Sequence, residues 1–259
     1  MIKSGARSVD EAPKRLHKRN TLYLALGIIA QFSRLKYLRV SGFLCRSRAI
    51  QRYLNSQQVR KLQIGAGPNI LEGWLNTDEL LTSPGVIYLD ATKPLCFENC
   101  TFDYIFSEHQ IEHLTYKEGL SMLRECYRVL KPGGKIRIAT PDLETLISLH
   151  TPDKSELQQR YIKWIIDGCL PQVGIYRESF VINNAFRNWG HQFIYDRETL
   201  QSAMEEVGFV DITRYAPGES DDEVLRGIES HGKAVGNADM NLFETMVLEA
   251  KCPMARCPI

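Results

Sequence analysis

The sequence predicts an α/β fold: a mostly parallel sheet with helices on both faces, extended by a helical N-terminal arm and a lid insertion. Three observations predict it. The run Leu62-Gln63-Ile64-Gly65-Ala66-Gly67-Pro68-Asn69 is a short apolar strand entering a Gly-x-Gly turn, where missing side chains permit a sharp turn and close backbone approach to a ligand. Two further short apolar segments end in acids, at Asp78 and Asp90. An amphipathic stretch then meets Lys131-Pro132-Gly133-Gly134 and gives way to another apolar run. Strands alternating with helices or turns build parallel sheets whose faces are covered.

Taken in order, residues 21–58 read as helical with a break near Ser41-Gly42, and the first strand is Lys61–Ile64. Pro68 to Trp74 is a short connector, Leu75–Asp78 a second strand and Val86–Asp90 a third. Phe102–Ser107 is the fourth. A helix spans Tyr116 to Leu130, because Leu120, Leu123, Tyr127 and Leu130 recur at spacings of three and four. Proline cannot continue that helix and glycine accepts positive φ, so it stops at Lys131–Gly134, and Lys135–Thr140 is the fifth strand. Helical stretches in 142–195 break the alternation. A helix at Arg197–Val207 ends at Gly208, a strand follows at Phe209–Arg214, and Phe243–Ala250 is a last element. The resulting organisation is a basic, partly disordered arm (1–58), a main domain (59–215) with a lid or acceptor insertion (142–195), and a C-terminal tail (216–259).

Hydrophobic residues make up 44% and charged residues 24%, ordinary for a globular chain with a sizeable core. Net charge is +1, but residues 1–61 hold 14 Lys/Arg against Asp10 and Glu11 alone, so the remainder is acidic. The arm therefore meets an anionic surface, the inner face of a membrane included, or docks on the acidic body of its own protein. An acidic main domain disfavours nucleic acid. The seven cysteines show no C-x-x-C pair, which speaks against a structural zinc site and for a reducing, cytoplasmic setting. The apolar run Thr21–Phe32 is too short to span a bilayer, and no good signal-cleavage site follows it.

The motifs in combination resemble the class I S-adenosylmethionine-dependent methyltransferases, and within them a bacterial type-11-like group. They are Gly65-Ala66-Gly67-Pro68-Asn69, Gly73-Trp74-Leu75-Asn76-Thr77-Asp78, Asp90-Ala91-Thr92-Lys93-Pro94-Leu95, Phe102–His109, Arg128–Gly134 and Thr140-Pro141-Asp142-Leu143. The resemblance covers about residues 61–215 and implies a Rossmann-like sheet. It implies S-adenosyl-L-methionine as cofactor, with Gly65, Ala66 and Gly67 beneath its methionine part and Asp78 on the ribose hydroxyls. Asp90 and Ala91 are expected at the adenine, and Ser107 and Glu108 between cofactor and acceptor. Only 11 positions separate Gly67 from Asp78, against about 20 in the dinucleotide fingerprint, so the first helix must shrink to a turn. Read without the resemblance, Asp78 is a strand-end acid and Asp90 a turn or capping residue. A nicotinamide oxidoreductase is excluded, since Ile70 and Leu71 stand where its third glycine belongs.

Methyl transfer to a hydroxyl needs a proton acceptor. The candidates are His109, then His191, then Asp142, each equally able to serve as a structural hydrogen-bonding group. His109, Glu112 and His113 form an H-x-x-E-H spacing that also occurs in a zinc-protease signature. It stands at a strand end with no apparent third ligand, so the sequence predicts no metal site. Tyr161, Trp164, Tyr176, Phe180, Phe186 and Trp189 either line an acceptor pocket or fill the insertion's own core. The resemblance suggests a small molecule or glycan as acceptor, with a sugar hydroxyl in cell-surface polysaccharide synthesis as its most specific form. The alternative is a non-catalytic binding module anchored through the basic arm.

Overall fold

The computed structural model describes residues 46–81 and 83–255. The expected arm thus lies largely outside the described residues, as do Cys45 and Cys257. After a helix at residues 46–56 (α1), the chain lays down β1 (Lys61–Ile64), β2 (Leu75–Asp78), β3 (Ile87–Tyr88) and β4 (Phe102–Glu108). A 3-10 turn, Ile111–His113, precedes α2 (Tyr116–Val129) and β5 (Leu130–Pro141). Three helices follow: α3 (Leu143–Ser148), α4 (Glu156–Cys169) and α5 (Glu178–Arg187). The chain then runs through α6 (Arg197–Val207), β6 (Val210–Tyr215), α7 (His231–Ala234), α8 (Ala238–Glu244) and β7 (Thr245–Lys251).

The sheet order is β3-β2-β1-β4-β5-β7-β6. β1 to β5 pair in parallel, whereas β7 runs antiparallel to both β5 and β6. Ile64 stands opposite Ser107, and Ser107 opposite Ile138. This register aligns the carboxyl ends of β1, β4 and β5, so Gly65, His109 and Thr140 share one rim. Ligands gather at such a rim in open α/β sheets.

Alternation along the strands separates two faces. Leu62, Ile64, Ile105, Ile136 and Ile138 pack with Leu120 and Leu123 of α2 and Leu200 and Met204 of α6 in the main core. Local signals hold these helices in place. A capping box of Thr115 and Glu118 starts α2. Asp196 caps α6, and Gly208 ends it at φ 109. On the other face Phe106 meets Trp74 and Leu225. No helix fits between β1 and β2. Instead, Asn76 clamps the connector, accepting from the Leu71 N–H at 2.9 Å and donating to the carbonyls of Leu71 (3.0 Å) and Trp74 (3.1 Å).

Two expectations need correcting. The 216–259 stretch is not a tail, since β7 lies inside the sheet between β5 and β6. Its neighbour, residues 217–230, packs on the sheet face that carries Phe106. Arg137, fully buried on β5, holds that cover through Glu229 and the Glu219 carbonyl, and pairs with Glu249 of β7. Strand β5 also starts at Leu130 rather than Lys135. Gly133 and Gly134 stay in the sheet because they exchange hydrogen bonds with Cys252 at 2.9 and 2.8 Å. The lid region forms a small core of its own, in which Tyr161, Ile162, Ile165 and Ile166 of α4 meet Leu146, Val181 and Met240. Of its aromatic residues Tyr161 fills that core with Trp164 beside it, whereas Tyr176, Phe180, Phe186 and Trp189 are exposed.

Candidate active site

The glycine turn and the acid of β2 are one structure. Gly65 and Gly67 adopt φ 73 and 51. The Ala66 N–H donates to the Thr77 carbonyl at 3.0 Å, and the Gly67 N–H to Asp78 Oδ2 at 2.8 Å. Asp78 Oδ1 accepts from the Leu80 N–H at 2.6 Å. Each carboxylate oxygen retains acceptor capacity after these single bonds. A Cβ on Gly67 would meet no described atom within 4 Å, whereas one on Gly65 would strike Gln110, whose Cβ lies 2.7 Å from that point. Gln110 therefore roofs the first glycine, and the turn is open at the second. Asp90 forms a turn of its own, its Oδ1 accepting from the N–H and hydroxyl of Thr92 at 2.9 and 2.6 Å, with Ala91 buried behind it. Two buried polar atoms near the ends of β1 and β4, Gln63 Oε1 and Ser107 Oγ, make no hydrogen bond among the described residues.

Beside this turn the rim carries four histidines and two buried acids. His109 follows β4 in the left-handed region, φ 47, a strained state for a non-glycine residue. Its Nδ1 lies 3.2 Å from Oε1 of fully buried Glu112. Its Nε2 lies 3.1 Å from Thr245 Oγ1, and that hydroxyl donates its own proton to Asn241 Oδ1 at 3.3 Å. Both ring nitrogens thus face acceptors, which is the pattern of an imidazolium. Burial opposes that charge, yet the Glu112 hydrogen bond and charge, with Glu244 and Glu108, outweigh it and raise the His109 pKa. Burial likewise pushes Glu112 up, but His109 and His113 hold its carboxyl below the usual range.

His231 stacks on His109 at 3.8 Å between centroids, 20° from parallel. Burial, then the charge of His109, pushes its pKa down to about 4, so the ring is neutral at pH 7. His191 is lowered mainly by burial and points Nδ1 at the Ala185 carbonyl, 2.8 Å away. Glu244 is raised by burial and accepts from the Tyr161 hydroxyl at 2.5 Å.

The fold unites Gly65, Ala66, Gly67 and Asp78, and separately unites His109 with His191's neighbours Glu112 and His113. Two expected residues have structural partners. The Glu108 carboxylate accepts the N–H groups of Ser230 and His231 at 2.9–3.1 Å. Asp142, expected as a base, caps α3 through the Glu144 N–H at 3.0 Å and pairs with Arg214 at 2.9 Å. His109, the first expected base, has both ring nitrogens engaged, by Glu112 and by Thr245. Gln110, Glu112, His231, Glu244 and Thr245 were missed as site residues. The first two lay in plain view beside His109, whereas the last three come from a stretch with no signal of its own.

The mostly parallel sheet of order 3-2-1-4-5-7-6, with β7 reversed and a glycine turn bound to the acid of β2, comes with a sequence similar to methyltransferases. More particularly, residues 64–138 match the family described as methyltransferase domain. The chain is 31% identical over 146 residues to the ubiquinone/menaquinone biosynthesis C-methyltransferase UbiE of Escherichia fergusonii. That match covers 53% of this chain and spans about half, 52%, of the relative. Among solved structures, a SAM-dependent methyltransferase from Archaeoglobus fulgidus aligns with TM-score 0.45 and 22% identity, over 85% of this chain and 99% of that one. Phosphoethanolamine N-methyltransferase 2 of Haemonchus contortus, in complex with S-adenosyl-L-methionine, aligns with TM-score 0.41 and 17% identity, over 80% and 52%.

The rim has room and polar groups for the S-adenosylmethionine that the sequence motifs lead one to expect. The space at Gly67, the spare acceptor capacity of Asp78 and the orphaned Gln63 and Ser107 atoms offer a cradle for a polar ligand. No helix of the described residues is long and apolar enough to cross a membrane.

Proposed function

We propose that this chain transfers a methyl group to a hydroxyl of a small molecule or glycan, a sugar hydroxyl being the preferred acceptor. The observation that carries this reading is the placement of the Gly67–Asp78 turn and the stacked rings of His109 and His231 along one sheet rim. Gly67 and Asp78 would hold the cofactor by backbone approach and by the ribose hydroxyls. The bound cofactor supplies the electrophilic methyl group, and in-line alignment supplies much of the rate.

The chain's remaining task is to take the hydroxyl proton. Both His109 nitrogens are engaged, so we assign proton uptake to the neutral ring of His231, fixed by its backbone bond to Glu108. His109 and buried Glu112 keep the surroundings polar and rigid. Because the UbiE relative is a C-methyltransferase, a phenolic ring is a second acceptor to try, as the same proton removal activates a phenol's carbons.

The test measures S-adenosylhomocysteine release from the full chain with nucleotide sugars, free glycans and hydroxylated aromatics. Turnover on a hydroxyl acceptor is expected. Tight cofactor binding with no turnover on any of them would instead favour the binding module.

A further inference from the structure

We propose that Glu112, His113 and His191 bind one divalent first-row transition cation of the zinc type. The donor atoms of these three residues all lie within 4.8 Å of one another. Tetrahedral sites with bonds of about 2.0–2.2 Å put donors roughly 3.4 Å apart, so closing this triad takes only side-chain adjustments on the order of 1 Å. Glu112 is fully buried, and its Oε1 lies 3.2 Å from His109 Nδ1. A buried carboxylate is costly to keep charged, and a bound cation offsets that cost.

The supporting contacts are those of a ligand set. A carbonyl only accepts, so the contact to the Ala185 oxygen places the proton of His191 on Nδ1 and leaves the Nε2 lone pair for a metal. Glu112 Oε2 accepts from the Thr140 hydroxyl at 3.0 Å, and His109 Nδ1 stands 3.2 Å from Oε1, so the carboxylate is itself oriented. The Glu112 carbonyl accepts the N–H groups of Gln192 and Phe193 at 2.7 and 3.2 Å, which pins the stretch carrying His191 against the 3-10 turn. The rings of His113 and His191 meet edge to face, 5.0 Å apart.

Two imidazoles and one carboxylate suit zinc-type ions rather than calcium or magnesium. Three protein ligands leave a fourth position open, where an acceptor oxygen can bind. A neighbouring trio, His109, His231 and Glu244, is equally close. It is the poorer set, because both His109 nitrogens are engaged, its ring lies flat against His231, and Glu244 holds the Tyr161 hydroxyl. The site does not depend on methyl transfer.

The test uses untagged full-length protein stripped by a chelator, titrated with Zn²⁺ against a chromophoric chelator and separately with Co²⁺. One tight equivalent is expected, with the strong visible bands of four-coordinate Co²⁺. His113→Ala, His191→Gln and Glu112→Gln should each lower affinity about 100-fold or more, whereas exposed His150→Ala should change nothing. His191→Cys should retain binding and add a thiolate-to-cobalt charge-transfer band, which carries the test if His191→Gln misfolds. Less than one equivalent, unaltered affinity in His113→Ala, cobalt binding without the thiolate band, or loss of binding only in Glu244→Gln would overturn the assignment.

Discussion

Replacing Gly65 by alanine should damage the fold far more than the same change at Gly67, two residues away. Both residues have positive φ, 73 and 51, so both variants incur the left-handed penalty of about 1–2 kcal/mol. The difference lies in what the new methyl meets. At Gly65 it would stand 2.5 Å from Gln110 Oε1 and 2.7 Å from Gln110 Cβ. A rotamer change can move Oε1 away, but Cβ moves only with the backbone. Overpacking of this kind costs about 1–3 kcal/mol, for a total of about 2–5 kcal/mol. At Gly67 the space is open among the described residues, so only the first cost applies. Urea unfolding followed by circular dichroism reads the gap directly. With a slope of about 1–3 kcal/mol per molar urea, the Gly65→Ala midpoint should fall clearly below that of Gly67→Ala. The double variant Gly65→Ala/Gln110→Gly should recover the steric part, a coupling of about 1–3 kcal/mol. Equal midpoints for the two alanine variants, or no coupling with Gln110, would refute the reasoning.

Gly67→Ala should instead weaken S-adenosylmethionine binding, by about tenfold or 1.4 kcal/mol in calorimetric titration, because its methyl enters the open side of the turn. His231→Gln should lower turnover on a hydroxyl acceptor about 100-fold with little change in cofactor affinity, measured by S-adenosylhomocysteine release. Arg137→Met should destabilise the domain by about 3–5 kcal/mol in urea unfolding, since it strands the buried carboxylates of Glu229 and Glu249. Burial raises the Asp222 carboxyl, but Lys135 and the Val224 N–H outweigh it and hold it below its ordinary value. A depressed folded pKa stabilises the fold above the unfolded pKa and loses that stabilisation as pH falls through the folded value. Thermal melts should therefore show Asp222→Asn converging on the parent protein in acid and falling below it at neutral pH.

The glycine turn, the acids and α2 were legible because each is a local matter. Gly65 and Gly67 announce positive φ by lacking Cβ atoms. Asp78 sits at a fixed offset from them, and Leu120, Leu123 and Tyr127 announce a helix face by their spacing. The metal reading shows the opposite case. His109, Glu112 and His113 were visible together, yet the site was set aside because the third ligand, His191, lies 78 positions beyond His113.

Sequence alone determined that a strand enters a glycine turn, that an acid follows within reach, and that the sheet is mostly parallel. These depend on backbone sterics and side-chain period, which act over a few residues. Tertiary structure decided what the rim contains. The return of β7 between β5 and β6 brings Thr245 and Glu244 to His109, and tethers from Arg137, Lys135 and Glu108 lay residues 217–230 over the sheet and set His231 on the same ring. Charge states followed from that packing, because burial and neighbouring charges, rather than residue type, raised the pKa of one histidine and lowered that of the next.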